Sequence, residues 1–143
     1  MVTLSRSITI HARVDEVFRF LEDKAPFPEF WPNMIEVSEI RDLPNEDKHY
    51  HWTQKMAGLR FEGVGSRFES ILNKKLVSKA ETDTGSTITW LMEAHSGATD
   101  VTFQADYMIT VPALGGLAEK VVVKLNERQA DTMLADLKTL IEA

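Results

Sequence analysis

The chain has 143 residues, with 16 Lys and Arg against 22 Asp and Glu, and a formal net charge of −6; this argues against a nucleic-acid partner, which needs a basic face. It has no cysteine, which excludes disulfides, thiolate nucleophiles and Cys-based zinc or iron–sulfur centres and fits a reducing, cytoplasmic setting. Apolar runs of only a few residues leave no transmembrane helix, Met1 to Val14 lacks the apolar stretch of a secretory signal, and the length suits one domain over residues 1–143.

Val2 to Ile10 alternates, with Leu4, Ile8 and Ile10 on one parity, and predicts a first strand. Val14, Val17, Phe18 and Leu21 then recur at helical spacing, with Asp15 and Glu16 suited to the first turn of a short amphipathic helix. Ala25 to Pro32 holds three of the five prolines beside Phe27, Phe30 and Trp31, and so allows at most a short helical turn. Met34 to Arg41 predicts the next strand, ended by the turn-like Leu43 to Asp47.

In Lys48 to Met56 the alternation places Tyr50, Trp52, Gln54 and Met56 on one face and His49, His51, Thr53 and Lys55 on the other, solvated one. Ala57 and Gly58 lead into Leu59 to Leu72, where Phe61, Gly63 and Gly65 share a face and the glycines permit a bulge or bend. Leu76 to Thr82 follows the Asn73 to Lys75 turn, and Asp83 to Gly85 turns the chain again. Ser86 to His95 puts Ile88, Trp90, Met92 and Ala94 on one face. After Ser96 and Gly97 the last strand alternates through Val101, Phe103, Ala105, Tyr107 and Ile109.

Pro112 to Ala143 reads as one long helix. Ala118, Val122, Leu125, Met133, Leu137 and Leu140 form its apolar seam, Leu114, Leu117 and Val121 widen the start, and Gln129 interrupts the middle. About seven strands joined by short turns, two helical segments after the first strand and a long final helix make an α+β domain. Its antiparallel sheet has an apolar face for that helix to cover.

The order of elements is joined by several phrases: IHARVDEVF from Ile10, FWPNM from Phe30, YHWTQKMAGLRFEG from Tyr50, and Asn126-Glu-Arg in the final helix. Together they resemble the polyketide cyclase/dehydrase-like branch of the START and Bet v 1-like (SRPBCC) superfamily over essentially the whole chain. Ala12, where many relatives have proline, is a departure. The resemblance implies a helix-grip fold, a seven-stranded antiparallel sheet curled around the C-terminal helix with two short helices closing one end of an internal cavity. It also implies hydrophobic ligands, since members include lipid carriers, plant hormone and metabolite binders, quinone binders and polyketide aromatases and cyclases.

Within such a cavity the parity argument gives walls of Tyr50, Trp52, Gln54, Met56, Phe61, Trp90, Met92, Phe103 and Tyr107 from the strands. Leu114, Leu117, Val121, Leu125 and Gln129 would come from the final helix and its approach, and Phe27, Phe30 and Trp31 would cap one end. The alternative is that the same residues fill a solid core. Gln129, Asn126, Tyr50, Gln54 and Tyr107 are the candidates to orient a polar group or to bond to nearby backbone.

His49 and His51 form a two-point pair and His95 stands alone, all on outer parity, so no metal site is assigned. No cofactor motif, phosphate loop, nucleophile elbow or catalytic residue is assigned either. Ala113 to Gly116 is expected to hinge at the cavity mouth. The favoured reading is a non-catalytic binder or carrier of a hydrophobic small molecule, a monomer or weak homodimer. A cyclase or aromatase acting in the same cavity and a protein-interaction module are the alternatives.

Overall fold

The structure, a computed structural model, describes residues 2–23, 26–31, 34–42, 48–56, 59–81, 86–107 and 115–143; the side chains at 35–42, 48–49, 54–56, 59–62, 67–68, 81, 115–119 and 121–122 fall outside that description. The elements in chain order are β1 (Val2–Ile10), α1 (Val14–Glu22), α2 (Phe27–Phe30), β2 (Met34–Asp42), β3 (Lys48–Met56), β4 (Leu59–Ile71), β5 (Lys75–Glu81), β6 (Ser86–His95), β7 (Ala98–Tyr107) and α3 (Gly115–Glu142). Seven strands form one sheet in the order β1-β7-β6-β5-β4-β3-β2, every pair antiparallel. Strands two to seven are a meander, and β1 joins beside β7, so α1 and α2 carry the chain from one sheet edge to the other.

Turn chemistry sets the registers. Ser96 and Gly97 both take positive φ (51° and 82°), the two-residue hairpin turn whose twist matches the strands, so His95 pairs directly with Ala98. The last strand therefore starts at Ala98, earlier than the alternation from Val101 implied. The glycines of β4 permit a bulge but do not make one. Gly63 and Gly65 stay in register with Trp52 and Tyr50, and the β4–β5 register shift falls between Arg67 and Glu69.

One face of the sheet packs on the helices. Leu4 and Ile10 of β1, Leu76 of β5, Trp90 and Met92 of β6 and Val101, Phe103 and Ala105 of β7 join Val17, Phe18 and Leu21 of α1 and Phe27 and Phe30 of α2 in a single core. On β1 and β7 the other face is polar, while further along the sheet it carries Val77 and Leu91. Thr3 and Thr9 donate to Asp106 and Asp100 (2.7 Å each), and the Ser7 and Thr102 hydroxyls pair at 2.9 Å. Thr53, expected on this solvated face, is instead buried, set in register between Glu36 and Glu62.

α3 lies along β1 and touches α2, which packs on β2, so the helices bridge the two sheet edges. Arg6 donates to Glu127 (2.8 Å) and lies 3.5 Å from Asp131; Lys138 donates to the Thr9 carbonyl and to Glu142, and the His11 N–H donates to Glu142. The buried stripe of α3 is Ala130, Met133, Leu134 and Leu137, with Leu140 and Ile141 packed beside it. The expected seam holds at Met133, Leu137 and Leu140 and fails at Leu125, while the side chains of Ala118 and Val122 lie outside the description. Moving three and then four residues towards the N-terminus from Met133 leads to Ala130 and Asn126, and Leu125 is 51% exposed. Gly115 and Gly116 open α3 itself, while Ala113 and Leu114 lie outside the described residues. Among the described residues no helix is long and apolar enough to cross a membrane.

Candidate functional site

The inner face of β3 and β4 has an unusual construction. Tyr50 and Trp52 are paired across the strands with Gly65 and Gly63. A β-carbon at residue 63 would stand 2.6 Å from Trp52 Cε2, and one at residue 65 would stand 2.6 Å from the Tyr50 hydroxyl. Each ring therefore occupies the space that a side chain on β4 would otherwise fill. Glycine is required here for close approach rather than for backbone shape. Tyr50 passes over Gly65 to hydrogen-bond with Ser78 on β5, and both residues are buried. Burial pushes the Tyr50 phenol above its ordinary value, partly offset by the Ser78 bond, so it stays neutral and protonated at physiological pH.

A second aromatic group closes the core where α2 meets the sheet. Phe27 stacks on Trp31 (centroids 5.7 Å, 19°) and meets Phe30 edge-on at 5.1 Å. Trp31 in turn meets Phe103 edge-on at 5.7 Å, and Phe103 lies 5.0 Å from Trp90. These are the tilted and offset contacts that ring quadrupoles favour. Phe27, Phe30, Trp90, Met92 and Phe103 are each 5% exposed or less, so this part of the expected wall is packed solid. Trp31, Trp52, Ile88 and Tyr107 keep part of their surface.

Facing that less tightly packed region, Asn126 of α3 donates from Nδ2 to the Tyr107 hydroxyl oxygen at 2.8 Å. That bond uses an oxygen lone pair and leaves the phenolic proton for another acceptor. Gln129 is half-buried one turn further on. At the described inner-face positions of the strands the ionisable side chains are Arg6, Tyr50 and Tyr107, and Arg6 is committed to Glu127 and Asp131.

Of the residues singled out from the sequence, the structure brings Phe27, Phe30, Trp31, Trp90, Met92 and Phe103 into one cluster, and sets Tyr50 and Trp52 side by side over the β4 glycines. Tyr107 stands with Asn126. Leu125 turns half its surface outward, beside but not within the buried stripe. The side chains of Gln54, Met56, Phe61, Leu117 and Val121, and all of Leu114, lie outside the described residues. Sequence reasoning passed over Ser78 and Arg6. Ser78 shares the inner parity of Leu76, and Arg6 shares that of Leu4 and Ile8, so alternation alone marked both. His51 and His95 are exposed, and no group of three metal-ligating side chains occurs among the described residues.

A separate open groove of about 590 Å³ lies by the β4–β5 turn and the start of α1, lined by Val14, Asn73, Lys74, Leu91, Asp100 and Thr102 among others. Of the expected site residues whose side chains are described, Met92 borders it.

The family described as polyketide cyclase / dehydrase and lipid transport matches residues 1–142. Solved structures with the same fold include TTHA0849 from Thermus thermophilus, 18% identical over 98% of this chain and 97% of that one, with a TM-score of 0.84. The Zhui aromatase/cyclase from a Streptomyces species is 15% identical over 99% and 93%, with a TM-score of 0.80. A STAR-related lipid transfer protein from Xanthomonas axonopodis is 15% identical over 99% and 86%, with a TM-score of 0.77. At these identities the likeness is one of fold. No curated protein is significantly similar in sequence.

Proposed function

The chain belongs to the polyketide cyclase/dehydrase and lipid transport family, and from that premise we propose that it binds an apolar small molecule between the inner face of the sheet and the first half of α3. The observation that carries this reading is the gradient of packing along that face. Phe27, Phe30, Trp90 and Phe103 are sealed, whereas Trp52, Ile88 and Tyr107 on the same inner face of the sheet keep part of their surface, and Tyr107 meets Asn126 of α3. Burying ligand surface there would contribute about 25 cal/mol per Å² of apolar area, and the Tyr107 phenol would orient one ligand oxygen.

Carriage is favoured over cyclisation by the chemistry of the described lining. A cyclase needs a group that exchanges a proton near the working pH. Among the described inner-face side chains there is no histidine or carboxylate, Tyr50 is held neutral by burial, and Arg6 is paired with Glu127 and Asp131.

Native mass spectrometry of the purified protein, followed by organic extraction and fluorescence titration with lipids, quinones and aromatic polyketides, tests the reading. Ligand should quench the wild type and quench a Trp52→Phe variant less, while a Trp90→Phe variant keeps the response. If nothing co-purifies and no candidate alters the emission, the binding reading falls.

A further inference from the structure

A concave apolar face can accept a flexible chain or a rigid ring system, and the two demand different walls. An acyl chain adapts to irregular side chains, so it needs area and little else. A fused-ring ligand gains most from a flat, rigid partner with an unobstructed π face. The β3–β4 floor has that second character. The benzo ring of Trp52 lies over the Gly63 backbone, where a β-carbon would stand 2.6 Å from Cε2 and 3.0 Å from Cη2. With main chain behind it, the indole packs against the core and keeps part of its surface. Tyr50 is laid over Gly65 in the same way and fixed by Ser78, but it is buried, so Trp52 is the ring presented. Two glycines at alternate positions of β4 thus give up side-chain packing and let two aromatic rings lie against the strand.

We propose that Trp52, supported by Gly63, is a stacking platform that selects flat fused-ring ligands over flexible acyl chains. This rests on the binding reading above and narrows it to a ligand class. Selection arises because an indole set against main chain is held rigid for stacking, and because stacking requires no ordering of a many-torsion ligand.

The test compares a rigid probe, 1,8-dihydroxyanthraquinone, with a flexible one, cis-parinaric acid, by titration of wild type, Trp52→Leu, Trp52→Phe and Gly63→Ala proteins, each first checked for an unchanged far-UV spectrum and a cooperative melt. The anthraquinone should bind Trp52→Leu and Gly63→Ala about tenfold more weakly than wild type, with Trp52→Phe in between, while parinaric acid shifts by about twofold or less. Equal losses for both probes, or unchanged anthraquinone affinity in Trp52→Leu, overturn the platform and leave the binding reading standing. If wild type binds parinaric acid and not the anthraquinone, the platform is likewise overturned. If wild type binds neither probe, both fall.

Discussion

Tyr50 shows how one residue couples sheet packing to pH. Its phenol is held above the ordinary value near 10 mainly by burial, with the Ser78 bond working the other way. An acid whose folded pKa is raised contributes fully below the unfolded value, and that contribution is lost as pH climbs from there towards the folded value. Wild type should therefore lose stability above about pH 10 more steeply than Tyr50→Phe, a difference read from urea melts of the two proteins between about pH 8 and 11. At neutral pH the variant should be less stable by about 1–3 kcal/mol, because buried Ser78 loses its partner. Parallel curves for the two proteins would show that Tyr50 is not the buried phenol described. Gly65→Ala should cost about 1–3 kcal/mol as well, since its methyl enters the space of the Tyr50 ring. The sequence marked Gly63, Gly65, Tyr50 and Trp52 as sharing one face but could not pair them. Two glycines in a strand are compatible with a bulge or with a close ring, and only the cross-strand register decides.

At the scale of the element, α3 carries the sharpest contrast. Leu134 (2% exposed) and Leu125 (51% exposed) are the same residue type on one helix. Leu134→Ala should cost about 2–5 kcal/mol through lost burial and a residual cavity. Leu125→Ser should change stability by about 0.5 kcal/mol or less, and comparable losses in the two urea midpoints would contradict the stripe. The strands and helices were legible because alternation and the 3.6-residue period are local properties, and turn residues fall between them. The facing of α3 was legible at Met133, Leu137 and Leu140 but not at Leu125, because apolar residues in its first half support more than one line and its partner is distant in sequence. What selects the face is contact with β1, where Arg6 on the inward parity meets Glu127 and Asp131. Asn126, one position from the expected line, thereby gains Tyr107, while Gln129 stays at the margin.

For the whole molecule the consequence is an uneven distribution of stability. α1 and α2 seal one part of the sheet with fully packed side chains, among them Val17, Leu21, Trp90 and Val101, each 1% exposed or less. The region of Trp52, Ile88 and Tyr107 is finished less completely, the arrangement expected of a fold that must keep a core while admitting a guest. A ligand that binds only the folded state at 100 times its dissociation constant adds about 2.7 kcal/mol to global stability wherever it sits. Amide exchange under native conditions separates global from local effects, since residues that open only on complete unfolding slow in step with the global gain. Amides of β3 and the adjoining part of β4 should exchange by smaller openings in the free protein and slow by more than that shared factor on adding ligand. Amides flanking Val101 in β7 should slow by the shared factor alone. The reverse pattern, with extra protection concentrated on α1 and β7, would place the guest against the sealed part and require the packing there to open before anything could bind.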